Sequence, residues 1–143
     1  MIRLERTVSV TQPVDRVYAY LADFTTTTEW DPGSIVTVLA KGDGGVGSEY
    51  HNTSKFAGRK TEITYVMKEL VPNERIALRG ENKSVVAHDT MELRPTATGA
   101  DVLYRVEFEF QGAAKYVEPL MRLPLKKLLD DGQRGMERAL AAL

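Results

Sequence analysis

The sequence predicts an α+β fold in which a curved, seven-stranded antiparallel sheet wraps around one long C-terminal helix. Three features of the 143-residue chain support this fold class. Apolar and polar residues alternate in several segments, as they do in half-buried strands. Short turns separate six consecutive segments of this kind, which is typical of an antiparallel meander. The chain ends in a long segment where leucine and methionine recur every three or four residues, as on one face of a helix.

The chain opens with a strand and continues into short helices. From Ile2 to Val10 most apolar residues fall on one parity and most polar residues on the other, which predicts a half-buried strand. Pro13 then stands at a helix-start position, and apolar residues at helical spacing predict a short helix over Pro13–Asp23. The stretch Phe24–Pro32 adds another helical turn, so one or two short helices lie between strands 1 and 2.

Six strands follow, joined by short turns. The glycine-rich turn at residues 42–47 contains several positions that adopt positive φ at little cost. The last strand alternates most clearly, with all its aromatic residues and two valines on one face. The predicted bounds are Ser34–Ala40, Ser48–Phe56, Lys60–Leu70, Arg75–Glu81, Ser84–Arg94 and Asp101–Phe110.

A helix over Ala113–Leu143 is predicted to end the chain. At 1.5 Å per residue it would be about 45 Å long, enough to cross the whole sheet. Pro124 removes a backbone donor inside this helix and therefore predicts a kink. Because a sheet with one apolar face must bury that face, we expect the helix to cover it.

Composition excludes several classes of function. Nineteen basic residues stand against twenty acidic ones, for a net charge of −1, so no nucleic-acid partner is expected. Cysteine is absent and only two histidines are present, which argues against disulfides, thiolate catalysis and metal binding. We expect no metal and no cofactor. No apolar stretch suits a signal peptide or a bilayer span. We therefore expect a cytoplasmic single domain over residues 1–143, a monomer or homodimer without stable membrane insertion.

Several local motifs accompany this order of elements. They are PVDRVYAYL at 13–21, WDP at 30–32, GDGGVG at 42–47, ELVPNERI at 69–76 and LRP at 93–95. Together they resemble the START-like or SRPBCC superfamily, which includes the birch-pollen-allergen-like proteins and the polyketide cyclase/dehydrase and lipid transport group. The resemblance covers the whole chain. It implies a helix-grip fold whose cavity, between sheet and terminal helix, holds apolar or amphipathic small molecules.

Three motifs admit a functional and a structural interpretation. The turn at 42–47 lacks the continuation of a phosphate-binding loop and precedes a strand, so we expect a hairpin turn. His88 lies on the more polar parity of its strand, so we expect it to face solvent or a partner rather than act as an acid or base. The basic residues Arg122, Lys126 and Lys127 interleave with leucines, as in helices that bind membrane surfaces. Neighbouring acidic residues dilute this charge, and we expect a solvent-exposed helix face.

Asp89 is a weak candidate for a catalytic residue. It shares a parity with Met91 and Leu93, so it is the carboxyl best placed to enter the cavity. Burial would raise its pKa and suit it to act as a general acid or base. The alternative, which the sequence favours, is that a bulge turns Asp89 outward or that it pairs with an arginine.

The candidate ligand-binding residues share the faces that should meet the cavity. Tyrosine hydroxyls and a few polar groups among apolar residues suit a pocket that orients a mostly apolar molecule. For the strand at 48–56, a partly solvated sheet face is an equal alternative, and Trp30 is expected in the core or in a lid. The candidates are Tyr50, Asn52, Ser54, Tyr65, Met91, Tyr104, Val106, Phe108, Val117 and Met121.

We therefore expect a protein that binds or carries an apolar small molecule, lipid-like or polyketide-like, between the sheet and the C-terminal helix. Two other classes stay open: a polyketide aromatase/cyclase-type enzyme, and an adaptor that binds another protein. Convergent titratable groups in the cavity would favour an enzyme, a dry apolar tunnel would favour a carrier, and a filled core would favour an adaptor. Fold alone does not decide among these, because one fold hosts many functions.

Overall fold

The computed structural model describes residues 1–143 and contains seven strands and three α-helices. The strands are β1 (Ile2–Val10), β2 (Ser34–Lys41), β3 (Glu49–Phe56), β4 (Arg59–Val71), β5 (Arg75–Glu81), β6 (Val85–Pro95) and β7 (Ala100–Phe110). The helices are α1 (Val14–Ala22), α2 (Thr27–Trp30) and α3 (Glu118–Ala141), with 3-10 turns at Phe24–Thr26 and Gly112–Val117.

The seven strands form one antiparallel sheet in the order β1-β7-β6-β5-β4-β3-β2. Strands β2 to β7 follow one another as the predicted meander, and β1 crosses to pair with β7. β1 and β2 are the two edges, so the sheet is open. The predicted α+β architecture is confirmed, with a curved sheet, a long C-terminal helix and short helices between strands 1 and 2. None of the helices combines the length and the apolar character needed to cross a membrane.

Glycine chemistry explains the hairpin turns that set the register. Ala57 and Gly58 both have positive φ, at 52° and 79°, as in the two-residue turns whose twist matches that of paired strands. The loop at 42–47 joins β2 to β3 as predicted and includes Gly42, Gly44 and Gly47 at positive φ. The turn at Ala57 and Gly58 pairs the whole of β3 with residues 59–66 of β4.

The C-terminal helix begins later than the sequence predicts. Residues Gly112–Val117 form a 3-10 turn, and the α-helix spans Glu118–Ala141. Pro119 explains the shift, because proline is tolerated in the first turn of a helix but not further inside. With 24 residues, α3 is about 36 Å long rather than the expected 45 Å.

The last turns of α3 pack tightly, whereas residues 118–124 are exposed or only partly buried. Leu129, Met136 and Leu140 belong to the buried core, and α3 packs against β1 and α2. Gly135 allows this approach, since a Cβ there would collide with the Trp30 carbonyl oxygen. Toward the other end, Leu123 is 76% exposed, and the inward residues of that half face open space above the sheet.

An ion pair fixes α3 to the edge of the sheet. Arg6 lies on the inner parity of β1, between buried Leu4 and Val8. Its Nε donates to Asp130 Oδ1 of α3 at 2.7 Å. The charged residue in the apolar stripe of β1 thus reaches across to the helix instead of entering the core.

We predict that Met136→Ala lowers the free energy of unfolding by ~2–5 kcal/mol, because Met136 is fully buried and its truncation leaves a cavity. Leu123→Ala on the same helix is the matched control and should change it by less than ~0.5 kcal/mol. Urea unfolding followed by circular dichroism measures both. Equal effects of the two substitutions would contradict this assignment of the two halves.

Candidate functional site

A cavity of about 350 Å³ lies between the first half of α3 and the inner face of the sheet. Its wall is mostly apolar and comes from several elements, among them β3, β4, β6, β7 and α3. α3 contributes Met121, Leu125, Leu128 and Leu129, and β7 contributes Tyr104, Val106, Phe108 and Phe110. The turns β3–β4 and β5–β6 line the mouth with Ala57, Arg59, Asn82 and Ser84, and Phe24 and Trp30 close the inner end.

The structure brings most of the predicted site residues together. The parity of β7 places alternate side chains on its inner face, and the same holds for β3, β4 and β6. Eight of the ten ligand-binding candidates line the cavity, as does Asp89. The eight are Asn52, Ser54, Tyr65, Tyr104, Val106, Phe108, Val117 and Met121.

Tyr50 and Met91 do not line the cavity, and this corrects the prediction for both. Tyr50 is 1% exposed and packs edge-on against Phe24, with ring centroids 5.7 Å apart. Phe24, from the 3-10 turn that the sequence did not resolve, takes the cavity-facing position instead. Met91 is fully buried, and α1 packs on its strand β6 and on β7. The alternation of residues in a strand predicts which face of the sheet a side chain lies on. It does not predict which element covers that part of the face.

A first group of polar side chains joins α2 to the edge of the sheet and satisfies its own hydrogen bonds. Asn52 Nδ2 donates to Thr37 Oγ1 at 2.7 Å and to Ser34 Oγ at 2.9 Å. Ser34 in turn donates to Asp31 Oδ2 at 3.0 Å. Thr27 and Thr37 share a hydrogen bond of 2.6 Å between their hydroxyls. This network therefore positions α2 and β2, and it explains why polar residues occupy the inner face of β3.

Asp31 is a cavity-lining carboxyl that the sequence analysis did not single out. It accepts a hydrogen bond from the Gly33 amide at 3.0 Å. Burial raises the pKa of its carboxyl, while the hydrogen bonds from Gly33 and Ser34 act in the opposite direction. The spacing of Asp31, Gly33 and Ser34 is typical of an Asx turn, which is the signal that could have identified it.

Asp89 enters the cavity wall, which corrects the favoured expectation that it turns outward or pairs with an arginine. The residue is 5% exposed, and Tyr104 donates to its Oδ2 at 3.3 Å. Its other oxygen, Oδ1, is buried and has no hydrogen-bond partner. Burial raises the pKa of this carboxyl to about 7, against a smaller lowering by the Tyr104 hydrogen bond. Asp89 thus changes between donor and acceptor near neutral pH.

Two tyrosines flank Asp89, and neighbouring residues fix both rings. Tyr65 lies across Gly80, where a Cβ would collide with its ring, and stacks at a tilt on Phe24 at 4.9 Å. Tyr104 meets the ring of Trp30 edge-on at 5.6 Å. Burial raises the pKa of both phenols well above 10, so they stay protonated. The cavity therefore presents two neutral hydroxyls beside the Asp89 carboxyl.

His88 lies outside the site, on the outer face of the sheet. In register it stands opposite Arg79 of β5 and Glu107 of β7, and it does not line the cavity. The expectation that it faces away from the cavity is confirmed. Among the titratable residues of β6, Asp89 is the one that reaches the cavity.

The chain is similar to one protein family and to several solved structures. The family model described as polyketide cyclase / dehydrase and lipid transport matches residues 1–141. No functionally curated protein shows significant sequence similarity to the chain.

Three solved structures show the extent of the structural likeness. The START superfamily protein from Mycobacterium smegmatis has a TM-score of 0.81 at 13% identity, covering 96% of both chains. The Zhui aromatase/cyclase from a Streptomyces species has a TM-score of 0.78 at 18% identity, covering 99% of this chain and 92% of that one. Ara h 8.0201 has a TM-score of 0.73 at 13% identity, covering 99% of both chains. These likenesses confirm the helix-grip fold.

We predict a pH dependence of stability that comes from Asp89. Its pKa rises from 3.8 to about 7 on folding, so between these values the folded state binds more protons than the unfolded state. The free energy of unfolding should therefore fall as pH rises through this window, by at most about 1.4 kcal/mol per pH unit. Asp89→Asn should remove this contribution, as measured by urea unfolding across the window.

Asp101→Asn is the control for this measurement. Hydrogen bonds from Ser9 and Arg94 lower the pKa of Asp101 below 3.8. The contribution of Asp101 to the free energy of unfolding is therefore lost only at lower pH. The slope above 3.8 should persist in this variant. If Asp89→Asn had the same slope as wild type, the raised pKa would be wrong.

Proposed function

The chain belongs to the polyketide cyclase/dehydrase and lipid transport family, and on that premise we propose that it binds a mostly apolar small molecule with a hydrogen-bonding group at its inner end. The cavity carries this proposal. A pocket of about 350 Å³ lies within the range of small-molecule sites, which are mostly apolar with a few placed polar groups. An adaptor was expected to have a filled core, so the cavity favours the binding function.

The inner end of the cavity supports the presence of a polar group on the ligand. Asp89 Oδ1 is buried without a partner, and an unsatisfied buried polar atom costs free energy. The Tyr65 hydroxyl lies at the same end. A ligand hydroxyl or carbonyl between these groups would satisfy the carboxyl that the protein itself leaves unpaired. The remaining wall, from Val106 to the leucines of α3, would contact the apolar part of the ligand.

The position of the mouth supports an end-on entry of the ligand. Ala57 and Ser84 come from neighbouring hairpin turns, and Val117 comes from the 3-10 turn before α3. Val117 is 41% exposed, so it belongs to both the wall and the surface. An elongated molecule would place its polar end at Asp89 and leave its other end near these residues.

We predict that an uncharged environment-sensitive dye, N-phenylnaphthylamine, binds saturably with a stoichiometry of about one, measured by fluorescence titration. Met121→Trp should weaken this binding by roughly tenfold or more, because the larger ring would fill the cavity. Leu123→Trp adds the same side chain two residues away on the exposed face of α3 and should bind the dye as wild type does. Unsaturable binding, or equal loss in both variants, would contradict a cavity site.

A second candidate function is acid–base catalysis at Asp89. The observation that favours it is a cavity carboxyl whose pKa is raised to about 7, where a general acid or base is most effective. The structural similarity to an aromatase/cyclase is consistent with such chemistry. In a cyclase, Asp89 would remove a proton from a carbon between two carbonyls or return one to a departing hydroxyl. The Tyr104 hydroxyl, bound to Oδ2, would orient the carboxyl.

We predict for this second candidate that Asp89→Asn lowers the rate of cyclisation of a synthetic poly-β-carbonyl thioester by about 10²–10⁴-fold. Dye binding in the same variant should persist, because asparagine preserves the shape of the carboxyl. Product formation is measured by chromatography, and the Asp89 carboxyl is titrated in parallel by NMR. An Asp89 that ionises near ~3.9, as a free carboxyl does, or a wild-type protein without turnover, would refute the catalytic function and leave the binding function intact.

A further inference from the structure

The outer side of the cavity wall carries an exposed apolar surface. Tyr116, Leu120 and Leu123 are 87%, 73% and 76% exposed. We call these three residues, with half-exposed Val117, the rim patch. Large side chains this exposed are individually unremarkable, but contiguous apolar patches on a monomer mark interaction sites. The four residues lie within two consecutive turns of chain, on the 3-10 turn and the start of α3.

The rim patch adjoins the mouth of the cavity. Val117 and Met121 line the cavity from the same short segment on which Leu120 and Leu123 face outward. This part of α3 is therefore apolar on both sides. A helix that packs one face against a protein core usually carries polar residues on its other face. Packing in the core therefore does not account for the outward leucines.

Basic residues share the segment of chain that carries the rim patch. Lys115, Arg122, Lys126 and Lys127 fall between residues 115 and 127, with Glu118 as the one acidic residue of that segment. Lys127 pairs with Asp131 at 2.7 Å, whereas Lys115, Arg122 and Lys126 form no ion pair. The patch therefore combines exposed leucines with three unpaired cations.

The acidic residues that seemed to dilute this charge are already engaged elsewhere. Asp130 pairs with Arg6 of β1 at 2.7 Å. Asp131 pairs with Lys127 and with Arg134. Sequence alone counts these carboxylates against the basic cluster, but the structure pairs both, which leaves Arg122 and Lys126 without a local counter-ion. The helix face is solvent-exposed as expected, but its cations are less neutralised than the sequence suggests.

We propose that the rim patch docks the protein on an anionic lipid surface, with the mouth of the cavity facing the bilayer. Exposed leucines and an aromatic residue, together with Lys and Arg on the same segment, are the composition of helices that lie in the membrane interface. The unpaired cations supply complementarity to anionic headgroups. A second copy of the chain is a poorer occupant, because a symmetric contact would bring the same cations face to face.

The free edge strand β2 provides a matched comparison on the same molecule. Ile35 and Val38 are 49% and 48% exposed, yet no charged residue lies between Ser34 and Ala40. This second apolar surface lacks the cations of the rim patch. Substitutions in it therefore test whether exposed apolar area alone is enough for binding to a lipid surface. The docking surface stands independently of what the cavity holds.

The test is sedimentation of the full chain with vesicles of phosphatidylcholine alone or mixed with phosphatidylglycerol. Wild type should bind the mixed vesicles and release them in ~1 M salt, where the screening length falls to about 3 Å. Leu120→Ser with Leu123→Ser should weaken binding by more than about tenfold. Arg122→Gln with Lys126→Gln should weaken it by about fivefold for each charge removed. Ile35→Ser with Val38→Ser should bind as wild type.

Circular dichroism and dye binding without vesicles verify that each variant is folded and keeps its cavity. Absence of wild-type binding to the mixed vesicles at low salt would overturn the proposal, whatever the cavity binds. Equal loss in the β2 variant would overturn it too, since binding would then follow apolar exposure alone. A concentration-dependent dimer that the Leu120 and Leu123 substitutions abolish, without vesicle binding, would assign the patch to a second copy instead.

Discussion

The close contact of α3 with the end of α2 determines how the rest of the molecule is arranged. At Gly135 the helix passes so near the Trp30 carbonyl that no side chain fits between them. Leu129, Met136 and Leu140 bury themselves around this contact, and the Arg6–Asp130 pair adds a second attachment at β1. The helix is thus held along β1, an edge strand of the curved sheet. The cavity occupies the space between the first turns of α3 and the central strands.

The polar side chains around the cavity fall into two groups: those whose hydrogen bonds are made within the protein, and one with an oxygen that lacks a partner. The side chains from Asp31 to Thr27 hydrogen-bond to one another, so their role is to hold α2 and β2 in place. The carboxyl of Asp89 is only partly hydrogen-bonded, because Tyr104 donates to one oxygen and the other has no partner. Buried polar groups are expected to be paired. The exception therefore marks where an external molecule has most to contribute.

Much of the fold follows from the sequence, because parity and turn chemistry are local properties. The alternation in β7 and the glycines at 42–47 define strands and hairpins without any knowledge of the rest. The predictions were wrong where an element distant in sequence determines whether a side chain reaches the cavity. Tyr50 and Met91 share the correct face, but Phe24 and α1 cover them. Asp89 was expected to turn outward or to pair with an arginine, and only the structure shows the Tyr104 hydroxyl and the cavity beside it. Likewise, no local pattern pairs Asp130 with an arginine of β1.

The division of α3 into a packed half and a half that lines the cavity bears on how related proteins diverge. Changes around Met136 act on a stability of only about 5–15 kcal/mol, so few are tolerated. Changes around Met121 alter the shape of the cavity while the attachment at Gly135 stays as it is. Mutational constraint and freedom to vary are thereby assigned to opposite ends of one helix. The shape of the cavity can change through substitutions along two helical turns while the scaffold stays the same.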